Sequence, residues 1–393
     1  MKEQNIVLPK GFILILAMLM SITPLAIDVY LPSFTQIADF YYTSIDQIEV
    51  TLSIYLLGFA IGQLLGGPLS DRYGRKIFIF TGLMIYISFS FLLSQASSIE
   101  QLWTFRFFQA IGGGFAVVNT NAIIRDLYHG NEAAKVFSLM SIIMMIAPMI
   151  APFIGASILL FFTWQYIFIF LGLYALLLVY FIFKLPETSP KDLGNVIQNY
   201  KSVLSNKTTV FIMIGGGFAT SGLFIFITKA SFIYMEYYKV STNIFPILLG
   251  VNVITLMFFG KMNMTFLQKY SIKKLLFTGI FIQFISSILL FLTSDLNILY
   301  LTVFFMMFYV GSLGLIFGNV ITLVLENFKE ISATANAING VVGFIIAGIM
   351  GFIASLIHDG SLTSVFTFMA ITTFISFFIL LSIRKCIKPL KDE

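Results

Sequence analysis

The chain has 393 residues, of which 59% are hydrophobic and 10% charged, against roughly 25% charged in an ordinary soluble domain. That composition excludes a soluble globular enzyme and describes a protein that crosses a bilayer many times. The single cysteine, Cys386, excludes an intramolecular disulfide and argues against a cysteine-based metal site.

The first apolar stretch, Phe12–Ala38, is long enough to cross, and no small-residue cleavage site follows its apolar core, so it reads as a retained span. Inside it lies Asp28, in Thr23-Pro24-Leu25-Ala26-Ile27-Asp28-Val29-Tyr30-Leu31-Pro32. A carboxylate at the bilayer centre costs at least about 2.5–3.5 kcal/mol, so it needs a partner, water or a task. The two bracketing prolines free backbone carbonyls, which is tolerable only where helices or water satisfy them. The D-x-Y-L-P pattern resembles the Bcr/CflA group of bacterial drug:proton antiporters. That resemblance implies that Asp28, with Tyr30 beside it, belongs to a central cavity binding protons and substrate. Burial favours the neutral form of a carboxyl and a nearby cation favours the charged form, so a cationic cargo can expel the proton. An interfacial Asp28 exposed to outside water is the other reading.

Span two runs from about Ile48 to Gly66, with Glu49 at its outer start expected in solvent. Then comes Gly67-Pro68-Leu69-Ser70-Asp71-Arg72-Tyr73-Gly74-Arg75-Lys76. Gly67 and Pro68 suggest one sharp turn and Gly74 a second, and four charges confine the segment to a polar compartment. The pattern G-x-L-x-D-R-x-G-R-K resembles the signature loop of the major facilitator superfamily. The resemblance implies a reversible latch, in which Asp71 accepts from a helix N-terminus and pairs with Arg72 or Arg75.

Spans three to six are expected at Ile77–Leu93, Leu102–Ile124, Val136–Phe162 and Tyr166–Phe183. In the fourth, Arg106-Phe107-Phe108-Gln109-Ala110 is similar to the superfamily pattern R-x-x-Q-G, with Ala110 in place of the glycine. The family links such an arginine to proton transfer. Arginine does not release its own proton, so it would act on a neighbouring carboxyl and on water, or bridge backbone carbonyls between spans one and four. The fifth span carries Ala147-Pro148-Met149-Ile150-Ala151-Pro152-Phe153-Ile154-Gly155. This resembles the antiporter motif of exporters in the superfamily, with Pro148 and Pro152 kinking the helix and Gly155 admitting a close neighbour.

Lys184–Thr208 is the longest polar stretch and reads as a cytoplasmic linker. Six further spans follow, near 209–234, 243–266, 275–293, 297–325, 333–357 and 362–383. Lys229, in the seventh, stands where the Bcr/CflA group has a small or polar residue. It can snorkel outward towards Glu236, or present an ammonium to the cavity that would favour an anionic or zwitterionic cargo such as a metallophore.

A shift of 200 residues lays Gly114 on Gly314, Asn119 on Asn319 and Asp126 on Glu326, while Arg106 falls on Met306. The expected architecture is all-α: a polytopic major facilitator fold of about twelve helices in two pseudo-symmetric bundles, 1–184 and 209–393, joined by the linker 185–208. Basic residues cluster at Lys2 and Lys10, Arg72 to Lys76, Arg125 and Lys135, Lys184 to Lys207, Lys269 to Lys274 and Arg384 to Lys391. The alternate loops are acidic apart from Lys239, which places both termini in the cytoplasm. The net charge of +5 is therefore topological, and no nucleic-acid partner is implied.

No Walker-type glycine loop is present, and His129 and His358 are far apart and in loops, so neither ATP hydrolysis nor enzymatic catalysis is expected. The chain reads as a cell-membrane antiporter that exchanges protons for small organic molecules, monomeric and without cofactor or metal. The alternative is dedicated export of an endogenous metabolite.

Overall fold

The computed structural model describes residues 11–128, 130–183, 187–188, 196–328 and 331–384. Every regular element among them is helical. Eleven helices are long and apolar enough to cross a membrane, and the apolar segment Ile146–Phe161 of the helix Gly130–Phe161 occupies the position of the fifth span. This is the all-helical, multi-pass architecture expected from composition.

The first span is α1, Phe12–Asp28, which runs through a 3₁₀ turn at Leu31–Ser33 into α2, Phe34–Tyr41. The break falls where it must: Pro32 lacks the N–H that would bond the Asp28 carbonyl, so the ladder stops at Asp28. The second span, α3, covers Ile45–Tyr73 and corrects the first turn expected in the signature segment. Pro68 lies inside this helix and removes one hydrogen bond, which the rest of a 29-residue ladder absorbs. The chain turns instead at Gly74, whose φ of +112° is open to glycine but strained for other residues. Spans three to six are α4 Arg75–Leu93, α5 Ile99–Leu127, α6 Gly130–Phe161 and α7 Gln165–Ile182.

Within the stretch expected as a linker, Val196–Ser205 forms helix α8, and Val203 is fully buried in a core shared with Ile212, Leu276, Val320 and Leu380. Spans seven to twelve are α9 Lys207–Ser231, α10 Phe245–Phe266, α11 Ile272–Thr293, the pair α12 Leu299–Gly311 and α13 Leu313–Glu326, α14 Ser332–Leu356, and α15 Leu362–Ser382. The seventh span continues past Ser231 as a π-helical turn, Phe232–Tyr237. Several starts are fixed by side-chain caps, with Ser98, Asn206, Ser271 and Ser361 accepting from Gln101, Thr209, Lys274 and Ser364 N–H.

The chain packs as two units. One holds Met1–Tyr30 with Gly58–Val196, and the other Leu31–Leu57 with Ile197–Glu393. Helix α3 therefore contributes its first part to one unit and its remainder to the other.

Each unit repeats the packing of the other. In the first, a Cβ on Gly114 would lie 2.6 Å from the Phe59 carbonyl; in the second, a Cβ on Gly314 would lie 2.9 Å from the Phe259 carbonyl carbon and 2.5 Å from Gly260 N. Gly82 faces Gly112 and Phe115, as Gly279 faces Ser312 and Leu315. Asn119 and Asn319 each donate back to the carbonyl four residues earlier, at 2.8 and 2.7 Å.

Candidate functional site

Asp28 closes α1 and is 7% exposed. No hydrogen-bond or ion-pair partner for its carboxyl is found among the described residues, an uncommon arrangement for a buried acid. Two residues before it, the Ala26 carbonyl accepts from Arg106 Nη2 at 3.0 Å; two residues after it, the fully buried Tyr30 ring lies 4.8 Å beneath the same guanidinium. Phe168 flanks the guanidinium at 5.8 Å and packs on Tyr30 at 5.1 Å.

The other fork of Arg106 reaches Gln109 Oε1 at 2.8 Å, and Gln109 Nε2 donates to Ser90 Oγ at 2.7 Å. Ser90 in turn donates to the Tyr86 carbonyl at 2.7 Å. A wholly buried cation is thus held by a chain of polar groups from the first, fourth and third spans. Sequence reasoning anticipated a bridge between spans one and four; the extension through Gln109 to Ser90 was not signalled. The arrangement fixes a guanidinium beside a backbone that ends in a protonatable acid. Among the described residues it leaves that acid unpaired.

The signature segment forms a second polar centre in the same unit. Arg75 Nη1 pairs with Asp71 Oδ1 at 2.8 Å and its Nε with Asp126 of α5. Glu187 takes up the start of α4: its Oε1 accepts from Arg75 N–H at 2.9 Å and its Oε2 from Lys76 N–H at 3.2 Å. A carboxylate at a helix N-terminus completes unsatisfied donors and complements the dipole. Lys76 Nζ donates to the Phe183 carbonyl at 2.8 Å, and Thr188 Oγ1 to Asp126 Oδ2 at 3.0 Å. A Cβ at Gly74 would come within 2.9 Å of Glu187 Oε2, a side-chain end that can shift, so it is the positive φ that calls for glycine there. Arg72 lies 5.3 Å from the Tyr73 ring, and Gly67 is inside α3. Asp126 and Glu187 are the participants the motif alone did not reveal. Pro148, Pro152 and Gly155 all lie within α6, with Pro152 and Gly155 buried, and α6 packs along α1.

Lys229 belongs to a third polar centre, in the other unit. Its Nζ is 2.6 Å from Asp46 Oδ1 and 2.6 Å from Glu49 Oε2. His358 Nδ1 shares Asp46 Oδ1 at 2.7 Å. Glu49 is fully buried, which corrects its expected place in solvent: a lysine one helix away supplies the counter-charge that makes burial tolerable. Lys229 does not snorkel, being fully buried and turned to Asp46 and Glu49, while Glu236 is exposed. His358, expected only as a loop residue, is part of this cluster; His129 lies outside the described residues. Next to His358, Asp359 accepts from Ser361 N–H and Oγ at 3.0 and 2.6 Å, and bonds from Ser361 and then Ser364 hold its carboxyl down to about 2.

Of the polar span residues, Gln109 and Asn319 bridge helices, the latter to Asn263 Oδ1 at 2.9 Å, whereas Asn119 and Asn252 bond within their own helices. Among the described residues no group of three or more His, Cys, Asp or Glu side chains is arranged to hold a metal ion.

A family model for the Major Facilitator Superfamily matches residues 14–352. A bicyclomycin resistance protein homologue of Haemophilus influenzae is 33% identical over 367 residues, 91% of this chain and 92% of that one. A multidrug resistance protein, MdtL, of Vibrio parahaemolyticus is 38% identical over 184 residues, 47% of this chain and 46% of that one. Among solved structures, a D-xylose–proton symporter superposes with a TM-score of 0.75 at 17% identity, covering 96% of this chain and 98% of that one. A bacterial homologue of the human lysosomal transporter Spinster gives 0.75 at 15%, covering 96% and 97%. At those identities the structures share the fold alone. The chain belongs to the major facilitator superfamily of membrane transporters, and its relatives include the bicyclomycin-resistance kind that the D-x-Y-L-P pattern resembles.

Proposed function

We propose that the chain exports small organic molecules, drugs among them, across the cytoplasmic membrane in exchange for protons, by alternating access of two six-helix halves with both termini in the cytoplasm. The observation that carries this reading is Asp28, a buried carboxyl without a counter-ion among the described residues, at the end of an apolar helix whose flanking residues hold Arg106. Such an acid is neutral only when it carries a proton. A cationic cargo brought beside it stabilises the charged form and releases that proton, and departure of the cargo restores it. The fixed Arg106 guanidinium orders the surroundings without itself exchanging a proton. One charge crossing 100 mV supplies about 2.3 kcal/mol, and a pH difference adds to it. The names of the relatives, for bicyclomycin and multidrug resistance, support export of drugs, and the A-P-x-x-A-P-x-x-G helix agrees with that direction.

The competing reading, export of an anionic metabolite, rested on Lys229 as an ammonium facing cargo. Two carboxylates lie 2.6 Å from it, so its charge is already matched. A cationic or neutral cargo is the better match to the unpaired acid.

The test is transport of a cationic dye in proteoliposomes with an imposed pH gradient. Asp28→Asn is expected to abolish gradient-driven export while the protein remains folded. Full-speed outward transport by that variant with no pH or voltage difference overturns the reading.

A further inference from the structure

The cluster around Lys229 has a charge imbalance. Asp46 and Glu49, on the second span, bring two negative charges; Lys229, on the seventh, brings one positive charge. His358, from the loop after the eleventh span, contributes none when neutral and donating Nδ1–H to Asp46 Oδ1. One negative charge is left over, with Glu49, Lys229 and His358 side chains 0%, 1% and 2% exposed. A buried surplus charge is costly, and the economical remedy is one more proton.

Two atoms stand ready to take it. Glu49 Oε1 and His358 Nε2 are both buried without a hydrogen-bond partner among the described residues. Glu49 Oε2 is the oxygen in ion-pair contact with Lys229, so Oε1 is the available one. Among the described residues no further cation is paired with the cluster. Glu236 on the seventh span acts on Glu49 as a further negative charge. Asp359, beside His358, is engaged with Ser361, and Phe232 packs its ring edge-on against the imidazole at 4.3 Å. Asp46, 24% exposed, is the least buried member of the cluster.

We propose that Asp46, Glu49, Lys229 and His358 form a second proton-binding site, which takes up one proton from water at Glu49 Oε1 or His358 Nε2 and returns it to water, separately from Asp28. Loading Glu49 neutralises one of the two anions on Lys229 and so loosens the tie between the second-span segment and the seventh span. Proton binding here rests on the charge count together with the two unpartnered atoms. Only its use in transport rests on the antiport reading given above.

The experiment counts protons bound by the purified full-length protein between mildly alkaline and mildly acid pH, with infrared difference spectra following the protonated-carboxyl stretch. Glu49→Gln makes the cluster neutral and is expected to bind one proton fewer than the parent; with the proton on Glu49 a carboxyl band that Asp28→Asn leaves in place is lost, and with the proton on His358 the count falls with no such band. Asp46→Asn reaches the same neutrality by another substitution and is expected to lose one proton as well, which guards against a folding defect in either variant. The Asp28→Asn/Glu49→Gln double variant should lose two. An unchanged proton count in both single cluster variants overturns the proposal and leaves a static ion cluster. That outcome is distinct from failure of the antiport reading, which appears in gradient-driven transport by Asp28→Asn and does not alter the cluster's count.

Discussion

Replacing Arg75 by Met tests whether the signature segment is held by its guanidinium or merely turned by Gly74. Methionine keeps the aliphatic stem, and the backbone N–H that donates to Glu187 survives. What disappears is the bridge from Asp71 to Asp126. Breaking a fully buried ion pair costs ~3–5 kcal/mol and an exposed pair ~0.2–1 kcal/mol. Arg75 is 6% exposed, while Asp71 and Asp126 keep 29% and 21% of their side-chain surface in solvent, which places this network between those limits, at ~2–3 kcal/mol. Asp126→Asn alone should cost less, ~1 kcal/mol, because its amide oxygen still accepts from Nε and the Thr188 hydroxyl still has a partner. Combining the two removes the charge that Arg75→Met had stranded, so the double variant should be more stable than the sum of the single losses predicts, by ~1 kcal/mol or more. Equilibrium unfolding in detergent, read by the two tryptophans, measures all four corners of this cycle. Strict additivity would refute the reasoning, since it would mean that Arg75 and Asp126 do not hold each other in the folded protein. Transport is expected to fall more in Arg75→Met than its stability loss explains if the segment is a latch; unchanged transport at a temperature where the variant is fully folded would reduce it to a clamp.

The packing of spans three and four can be tested in the same way: a Cβ at Gly82 would lie 2.6 Å from the Gly112 carbonyl oxygen and one at Gly112 2.5 Å from the Gly82 oxygen, where ordinary contact begins at 3.4 Å. Either alanine should cost ~1–3 kcal/mol, and the pair less than the sum, because the helices separate once for both methyls; melting curves of the three variants check this. Arg106→Lys keeps the charge but cannot fork to both Gln109 and Ala26, so one buried acceptor loses its donor at ~1–3 kcal/mol and the flat stack on Tyr30 is lost. Dye export should fall despite the conserved charge, and full export would show that charge alone suffices.

The spans, their number and the three intramembrane charges were legible because the bilayer imposes strong rules on composition: long apolar runs cross, and a charge inside one is conspicuous. Helix stops were less legible. Pro68 looks like a turn, yet one missing hydrogen bond does not end a long transmembrane helix, whereas a positive φ at Gly74 does. Partners were least legible. Glu49 looks solvated when counted from its helix end, and only the tertiary approach of Lys229, 180 residues later, buries it. Asp126 and Glu187 read as ordinary loop acids for the same reason. Nothing local announces an ion pair between distant segments.

The internal repeat shows which of these features belong to the scaffold and which to this transporter's chemistry. Under the 200-residue shift the close-packed Gly114 and the back-bonded Asn119 recur, and so does the irregular end of the helix: Leu31–Ser33 is a 3₁₀ turn where the equivalent stretch begins the π turn Phe232–Tyr237. Ser231 Oγ even donates to the Leu31 carbonyl at 2.7 Å, joining two positions the shift equates. The intramembrane charges do not recur. Arg106 is matched by Met306, and Asp28 by Thr228, one residue before Lys229. Packing constraints act on both halves alike, because each must bring its helices together in the same way. A buried charge answers to a different demand, since it destabilises insertion wherever it stands and needs a partner, water or a task to offset that cost. On the two proposals above, the unpartnered acid of the first span and the ion cluster on Lys229 would each answer for one proton, and the separate proton counts expected for Asp28→Asn and Glu49→Gln are the direct measure of that division.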